Sequence, residues 1–241
     1  MQQGFTLIEL AIVMVVLTIL AAGVLVPLTK RIEIQRYEET QKVLAEARQA
    51  LIGYAMSHKD GTGKPYLPCP DKTAGGLVSN LPNDGLEDRA ASGRCEFQEG
   101  NFPWTTLGVG RSDAWGNQLR YRVLAEYSTS TAGFDGTTSA ASQIQVCTTP
   151  PTCAFTATTP PALVAVVISH GPNGWGAWNS NGSQQAAPTS ADELENTNGD
   201  MTYISRAPTP ASATTTEFDD VVVTLSQALL VSRVCFTAGC T

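Results

Sequence analysis

Residues 10–28 carry no charged side chain, and the apolar stretch that contains them opens at Phe5. A helix needs roughly 20 apolar residues, at about 1.5 Å rise each, to cross the hydrocarbon core of a bilayer. Residues 5–28 therefore predict a transmembrane helix, with the lipid bilayer as one partner of the chain. A cleaved secretory signal would begin with a basic region, continue with a shorter apolar core and end at a small-residue cleavage site. Here only Met1, Gln2 and Gln3 precede Gly4, so that reading fits poorly. Glu9 stands near the start of the run, where a carboxylate without a partner is costly to bury. It needs a partner.

The pattern changes after the span. Across residues 29–58 the apolar positions Ile32, Tyr37, Val43, Leu44, Ala47, Leu51, Tyr54 and Ala55 alternate with charged and Gln residues, which predicts an amphipathic stalk helix. Pro27, near the end of the span, removes a backbone donor and should interrupt the helix there. Past Lys59 the helical signal breaks at DGTGKP, and residues 59–241 read as a β-rich head with long polar loops. Strands are expected over 118–125, 163–169 and 220–225, with 225–234 able to turn helical. The Thr-, Ser-, Ala- and Pro-rich segment 128–161 reads as a surface insertion, as does 206–216. The fold class expected is α+β, a long N-terminal α-helix packed on a β-rich globular head.

The formal charge of −7 offers no basic field to collect phosphates, so no nucleic-acid partner is expected. Six cysteines, all beyond the apolar segment, suit an oxidising compartment. No CxxC pair is present and only His58 and His170 could supply imidazole, so disulfides are a better reading than structural zinc. Chain order suggests Cys69 with Cys95, Cys147 with Cys153, and Cys235 with Cys240, among the many connectivities that six cysteines allow.

The segment GFTLIE, Gly4 through Glu9, resembles the processing motif of type IV prepilins and type II secretion pseudopilins. The resemblance implies a pilin-like fold, a leader at residues 1–4, cleavage after Gly4 by a prepilin peptidase and N-methylation of Phe5. It gives Glu9 an assembly role, pairing with the amine of a neighbouring subunit so that opposite charges share their desolvation cost. Other pilin or pseudopilin subunits and an inner-membrane assembly platform are the implied partners. The implied location is the bacterial inner membrane, single-pass with a periplasmic head, and then the filament. Leaders of that family carry Lys or Arg, and this one has neither. The first basic residues, Lys30 and Arg31, follow the span and taken alone argue for a cytoplasmic C-terminal side; the cysteines argue for the periplasm.

Two head segments extend the resemblance. DAWGNQLRY at 113–121 is similar to the DPWGNPYxY segment of major pseudopilins, with Ala114 in place of proline. Residues 168–182 followed by 192–200 are similar to the strand and Gly-rich loop that in major pseudopilins cradles calcium. DELENTNGD offers oxygens from Asp192, Glu193, Glu195, Asn196, Asn198 and Asp200, with Asp192, Glu195, Asn198 and Asp200 as the expected calcium ligands, although its spacing is not that of an EF-hand, and NDGLED at 83–88 is a second candidate.

Catalysis has little support. No GxSxG, HExxH, P-loop or GxGxxG context surrounds His58 or His170. The expectation is a non-enzymatic assembly subunit, and the length favours a minor one. The alternatives are a tip adhesin or ligand-binding minor pilin, with Trp175 and Trp178 available for stacking, and a membrane-anchored periplasmic enzyme.

Overall fold

In the computed structural model, residues 6–72, 81–140, 144–147, 162–210, 217–238 and 240 are described. The chain divides into two units, Met1–Glu39 and Thr40–Thr241. Helix α1 spans Leu7–Ser57 and so belongs to both. In the first unit the apolar side chains from Leu7 to Leu20 are exposed. Those of residues 21–29 lie outside the described side chains. Among the described residues no helix is long and apolar enough to cross a membrane. The helix is continuous through Pro27, contrary to the expected interruption. One missing amide donor does not end a helix that long, because the turns on either side keep their own hydrogen bonds.

In the second unit the remainder of α1 shows the amphipathic pattern at work. Leu44, Ala47, Leu51 and Ala55, spaced to share one helical face, are buried, whereas Lys42, Glu46 and Gln49 are exposed. The elements that follow are β1 (Glu99–Asn101), α2 (Trp104–Leu107), β2 (Arg120–Val123), α3 (Ala125–Ser128), β3 (Gln145–Cys147), β4 (Leu163–Ser169), α4 (Ala191–Glu195), β5 (Thr202–Ile204), β6 (Val221–Ser226) and α5 (Gln227–Ala238). The fold is α+β, an N-terminal helix and a sheet-containing head.

Four strands make one antiparallel sheet in the order β1-β2-β4-β6. Tyr121 faces Val167 across the first inner pairing, and Val166 faces Thr224 across the second. Strand β4 reads LVAVVIS without alternation and every residue of it is buried, the pattern of a central strand covered on both faces. Its side chains share one apolar core with Leu44, Leu51, Phe102, Tyr121, Leu225, Leu230 and Val234. Strands β3 and β5 form a separate parallel pair, beside which Cys147, Ile204 and Phe218 make a smaller cluster.

The segment 128–161 is more than a surface insertion. Its described part contributes Phe134, Ala140 and Ile144 to the main core, and Tyr127 packs on Phe134 with ring centroids 5.1 Å apart. Isolated apolar residues in a Thr/Ser-rich context leave no period to read, yet each anchors a loop. Disulfides join Cys69 to Cys95 and Cys235 to Cys240. Cys147 is also disulfide-bonded, and Cys153 lies outside the described residues.

Candidate functional site

Gly4 and Phe5, the expected cleavage and methylation positions, lie outside the described residues. The residues just after them are informative. Thr6 precedes the first turn of α1 and Glu9 lies three residues on, the spacing of a capping box. The Thr6 amide donates to Glu9 Oε2 at 2.9 Å, the Thr6 hydroxyl to the same oxygen at 2.8 Å, and the Glu9 amide to Thr6 Oγ1 at 3.4 Å. The TxxE spacing thus satisfies otherwise orphan amides at the helix start. It also gives Glu9 an intrachain hydrogen-bond partner.

The two head segments singled out above meet in space. Asp113 Oδ1 accepts from the amides of Trp115 and Asn117, each at 2.9 Å, closing the turn. Its Oδ2 accepts from Ser169 Oγ at 2.7 Å, and Asn117 Nδ2 donates to the Gly171 carbonyl at 2.9 Å. Gly171, at φ +58°, permits this approach, because a Cβ there would come within 2.4 Å of the Asp219 carbonyl.

Beyond that glycine lies a buried group of carboxylates. Glu193 from α4 and Asp219 and Asp220, just before β6, each bring an oxygen within 4.8 Å of the other two. Asn173 Nδ2 and the Asp219 amide donate to Glu193 Oε1 at 2.9 and 3.2 Å, and the Asn173 amide donates to Asp219 Oδ2 at 3.1 Å. Asn196 Nδ2 donates to Asp220 Oδ2 at 2.7 Å, and His170 Nδ1 lies 3.3 Å from Asp220 Oδ1. Asp219 Oδ1 is buried with no hydrogen-bond partner among the described residues. Burial, with the neighbouring acids, pushes Asp219 up to about 8 and Glu193 above its ordinary value.

The four oxygen ligands expected from 192–200 are arranged otherwise. Asp192 is ion-paired with Arg206. Asn198 Nδ2 bridges Glu195 Oε2 at 3.1 Å and Asp200 Oδ2 at 3.0 Å in an exposed turn. Within NDGLED, the amides of Asn83 and Gly85 donate to the Asp71 carboxylate, so the loop is built around a buried acid. Glu193 belongs to the DELENTNGD stretch, whereas Asp219 and Asp220 lie outside every expected ligand set; their readable signal is two adjacent acids, DD, directly before the apolar run VVV.

A cleft of about 580 Å³ opens on the sheet between Phe97, Trp178, Leu194 and the amides Gln98, Gln184 and Gln185. Arg120 and Arg122 line it and both pair with Glu99. Glu99 Oε2 also accepts from the buried Tyr203 hydroxyl at 2.9 Å.

No curated protein and no solved structure matches the chain. Residues 1–25 match the prokaryotic N-terminal methylation motif. Joined to a helix that starts in a Thr6–Glu9 capping box and to an α+β head, this match establishes that the chain carries the prepilin-type cleavage and methylation signal of type IV pilins and pseudopilins.

Proposed function

We propose that the chain is a minor pilin or pseudopilin, a structural subunit of a type IV pilus or a type II secretion pseudopilus. Prepilin peptidase cuts after Gly4, and Phe5 becomes the methylated N-terminus. Segment 5–28 then holds the protein in the inner membrane, with its disulfide-bonded head on the periplasmic side. The assembly platform draws it into a filament with other subunits. The observation that carries this reading is the methylation motif at 1–25 running directly into a helix with exposed apolar side chains. Outside a bilayer or filament such a surface is unfavourable at about 25 cal/mol per Å². The test is N-terminal and intact-mass analysis of membrane-extracted protein from cells with and without the peptidase. A peptidase-dependent start at Phe5 is expected, and an uncut chain overturns the reading.

The resemblance also implies calcium, and the head contains residues that fit it. Glu193, Asp219 and Asp220 supply hard oxygen donors, and the described contacts of the trio are to two side-chain amides, two backbone N–H groups and a histidine. The unpartnered Asp219 Oδ1 is the observation that asks for a cation. Bound there, calcium would neutralise the mutual repulsion and fasten α4 to the start of β6. The cleft beside Trp178 favours a second reading, a minor pilin whose head binds a ligand. Equilibrium binding of ligands to wild type and Trp178→Ala tests it.

A further inference from the structure

The cleft of about 580 Å³ combines polar strand side chains with large apolar ones. Its volume falls in the range of about 300–1,000 Å³ in which small ligands are held. Alternation along the β1–β2 pair turns Tyr121 into the core and brings Glu99, Asn101, Arg120 and Arg122 to the cleft lining. Trp178 and Gln184, paired across an antiparallel bridge, line it too, together with the exposed Phe97 and Leu194.

The charges of this lining are engaged within the fold. Arg120 and Arg122 both pair with Glu99. Arg120 Nη2 also donates to the Thr197 carbonyl at 3.2 Å, and Arg122 donates to the Tyr203 hydroxyl and the Gly199 carbonyl. A charged ligand would have to disturb these pairs. The side-chain amides are different. Gln184 makes no side-chain hydrogen bond among the described residues, and Gln185 uses only Nε2, which donates to Asn179 Oδ1 at 3.2 Å. Gln98 uses only Oε1, which accepts from Ser128 Oγ at 3.4 Å. The buried His170 also lines the cleft; its Nδ1 lies 3.3 Å from Asp220 Oδ1, and its Nε2 has no hydrogen-bond partner among the described residues. Recognition of an extended peptide by strand addition needs free backbone groups, whereas the Asn101 amide and carbonyl on β1 are both paired with Asp71, at 2.8 and 2.9 Å.

We propose, resting on the reading of the head as ligand-binding, that this cleft takes a neutral saccharide, with a sugar ring stacked on Trp178 and its hydroxyls on the Gln98, Gln184 and Gln185 amides and His170 Nε2. A pyranose ring matches both parts of the lining. Its axial C–H groups make an apolar face that lies on the indole. Each of its hydroxyls donates and accepts, as the amides do, and so can meet Nε2 in either tautomer. An uncharged ligand leaves the Glu99 pairs in place.

The test is calorimetry on the full oxidised chain in detergent, titrated with short neutral oligosaccharides of hexoses and of N-acetylhexosamines, and separately with short uncharged peptides. Binding of at least one neutral oligosaccharide is expected. Trp178→Ala should weaken it about tenfold, and Gln184→Leu, which keeps the bulk but not the hydrogen bonds, about fivefold, both with wild-type circular dichroism. Should Trp178→Ala fail to fold, Gln184→Leu carries the same decision. Saccharide affinity unchanged in the folded variants, or no saccharide binding, overturns the proposal. If peptides bind in a Trp178-dependent way and saccharides do not, the saccharide class falls while the ligand-binding reading stands. If no probe binding depends on Trp178 or Gln184, both fall.

Discussion

Asp113 Oδ2 accepts a 2.7 Å hydrogen bond from Ser169 Oγ, and through it the turn before β2 is locked to the end of β4. The same carboxylate holds the Trp115 and Asn117 amides, so three donors depend on one buried side chain. Removing it strands all three. Each buried donor left without an acceptor costs about 1–3 kcal/mol. Asp113→Ala should therefore destabilise the head by about 3 kcal/mol or more, while Ser169→Ala, which leaves the turn intact, should cost about 1 kcal/mol. Urea unfolding with an unchanged m value measures both. Equal losses would show that the turn does not depend on Asp113.

The two described disulfides differ in the loop they close, 26 residues for Cys69–Cys95 and 5 for Cys235–Cys240. On loop-entropy grounds the first should contribute about 3–4 kcal/mol and the second about 2 kcal/mol. Replacing Cys69 and Cys95 by serine should therefore lower the melting temperature more than replacing Cys235 and Cys240, and thermal unfolding of the two variants measures the difference. Equal losses would show that loop length does not set the contribution.

Asp71 is fully buried, and desolvation, opposed by the Gly85 and Asn83 amides, pushes it up to about 7. Between about pH 4 and pH 7 the unfolded chain has lost this proton while the folded protein keeps it, so stability falls as pH rises and levels off above 7. The displacement from 3.8 to about 7 sets an upper limit of about 4 kcal/mol on this falling limb. Asp71→Asn should flatten it. A melting temperature with the same pH slope in wild type and variant would assign the limb to other buried acids.

What could be read in advance follows from what carries a period. The apolar run, the stripe from Leu44 to Ala55 and the Val- and Ile-rich β4 are repeated signals, and each corresponds to helix or central strand. The TxxE spacing of Thr6 and Glu9 is equally legible as a capping box, and both side-chain contacts form. Clusters assembled by tertiary contact are another matter. Glu193 and Asp219 are joined only because Gly171 and Asn173 bring the end of β4 against α4 and β6, and no local pattern encodes that approach. For the same reason an acid-rich stretch such as 192–200 draws attention while its Asp192 is engaged by Arg206.

The carboxylate trio makes the sharpest prediction about cations. Asp219 is raised to about 8 because its charge is desolvated and faces Glu193 and Asp220. A divalent cation on the three oxygens removes that penalty, so calcium should raise the melting temperature of the oxidised protein and chelator should reverse the rise. At a free concentration 100 times the dissociation constant the gain is about 2.7 kcal/mol. Asp219→Asn deletes a ligand charge but keeps an oxygen and most of the volume, so it should abolish the calcium response. Without calcium it should be as stable as wild type or more so, because the repulsion is gone. Glu195→Gln, in the exposed turn, should leave the response unchanged. If Glu195→Gln abolishes the shift and Asp219→Asn does not, calcium sits on residues 192–200 instead. If calorimetry and melting show no calcium effect on wild type, the trio is held by protons, and stability should then decline as pH rises toward 8.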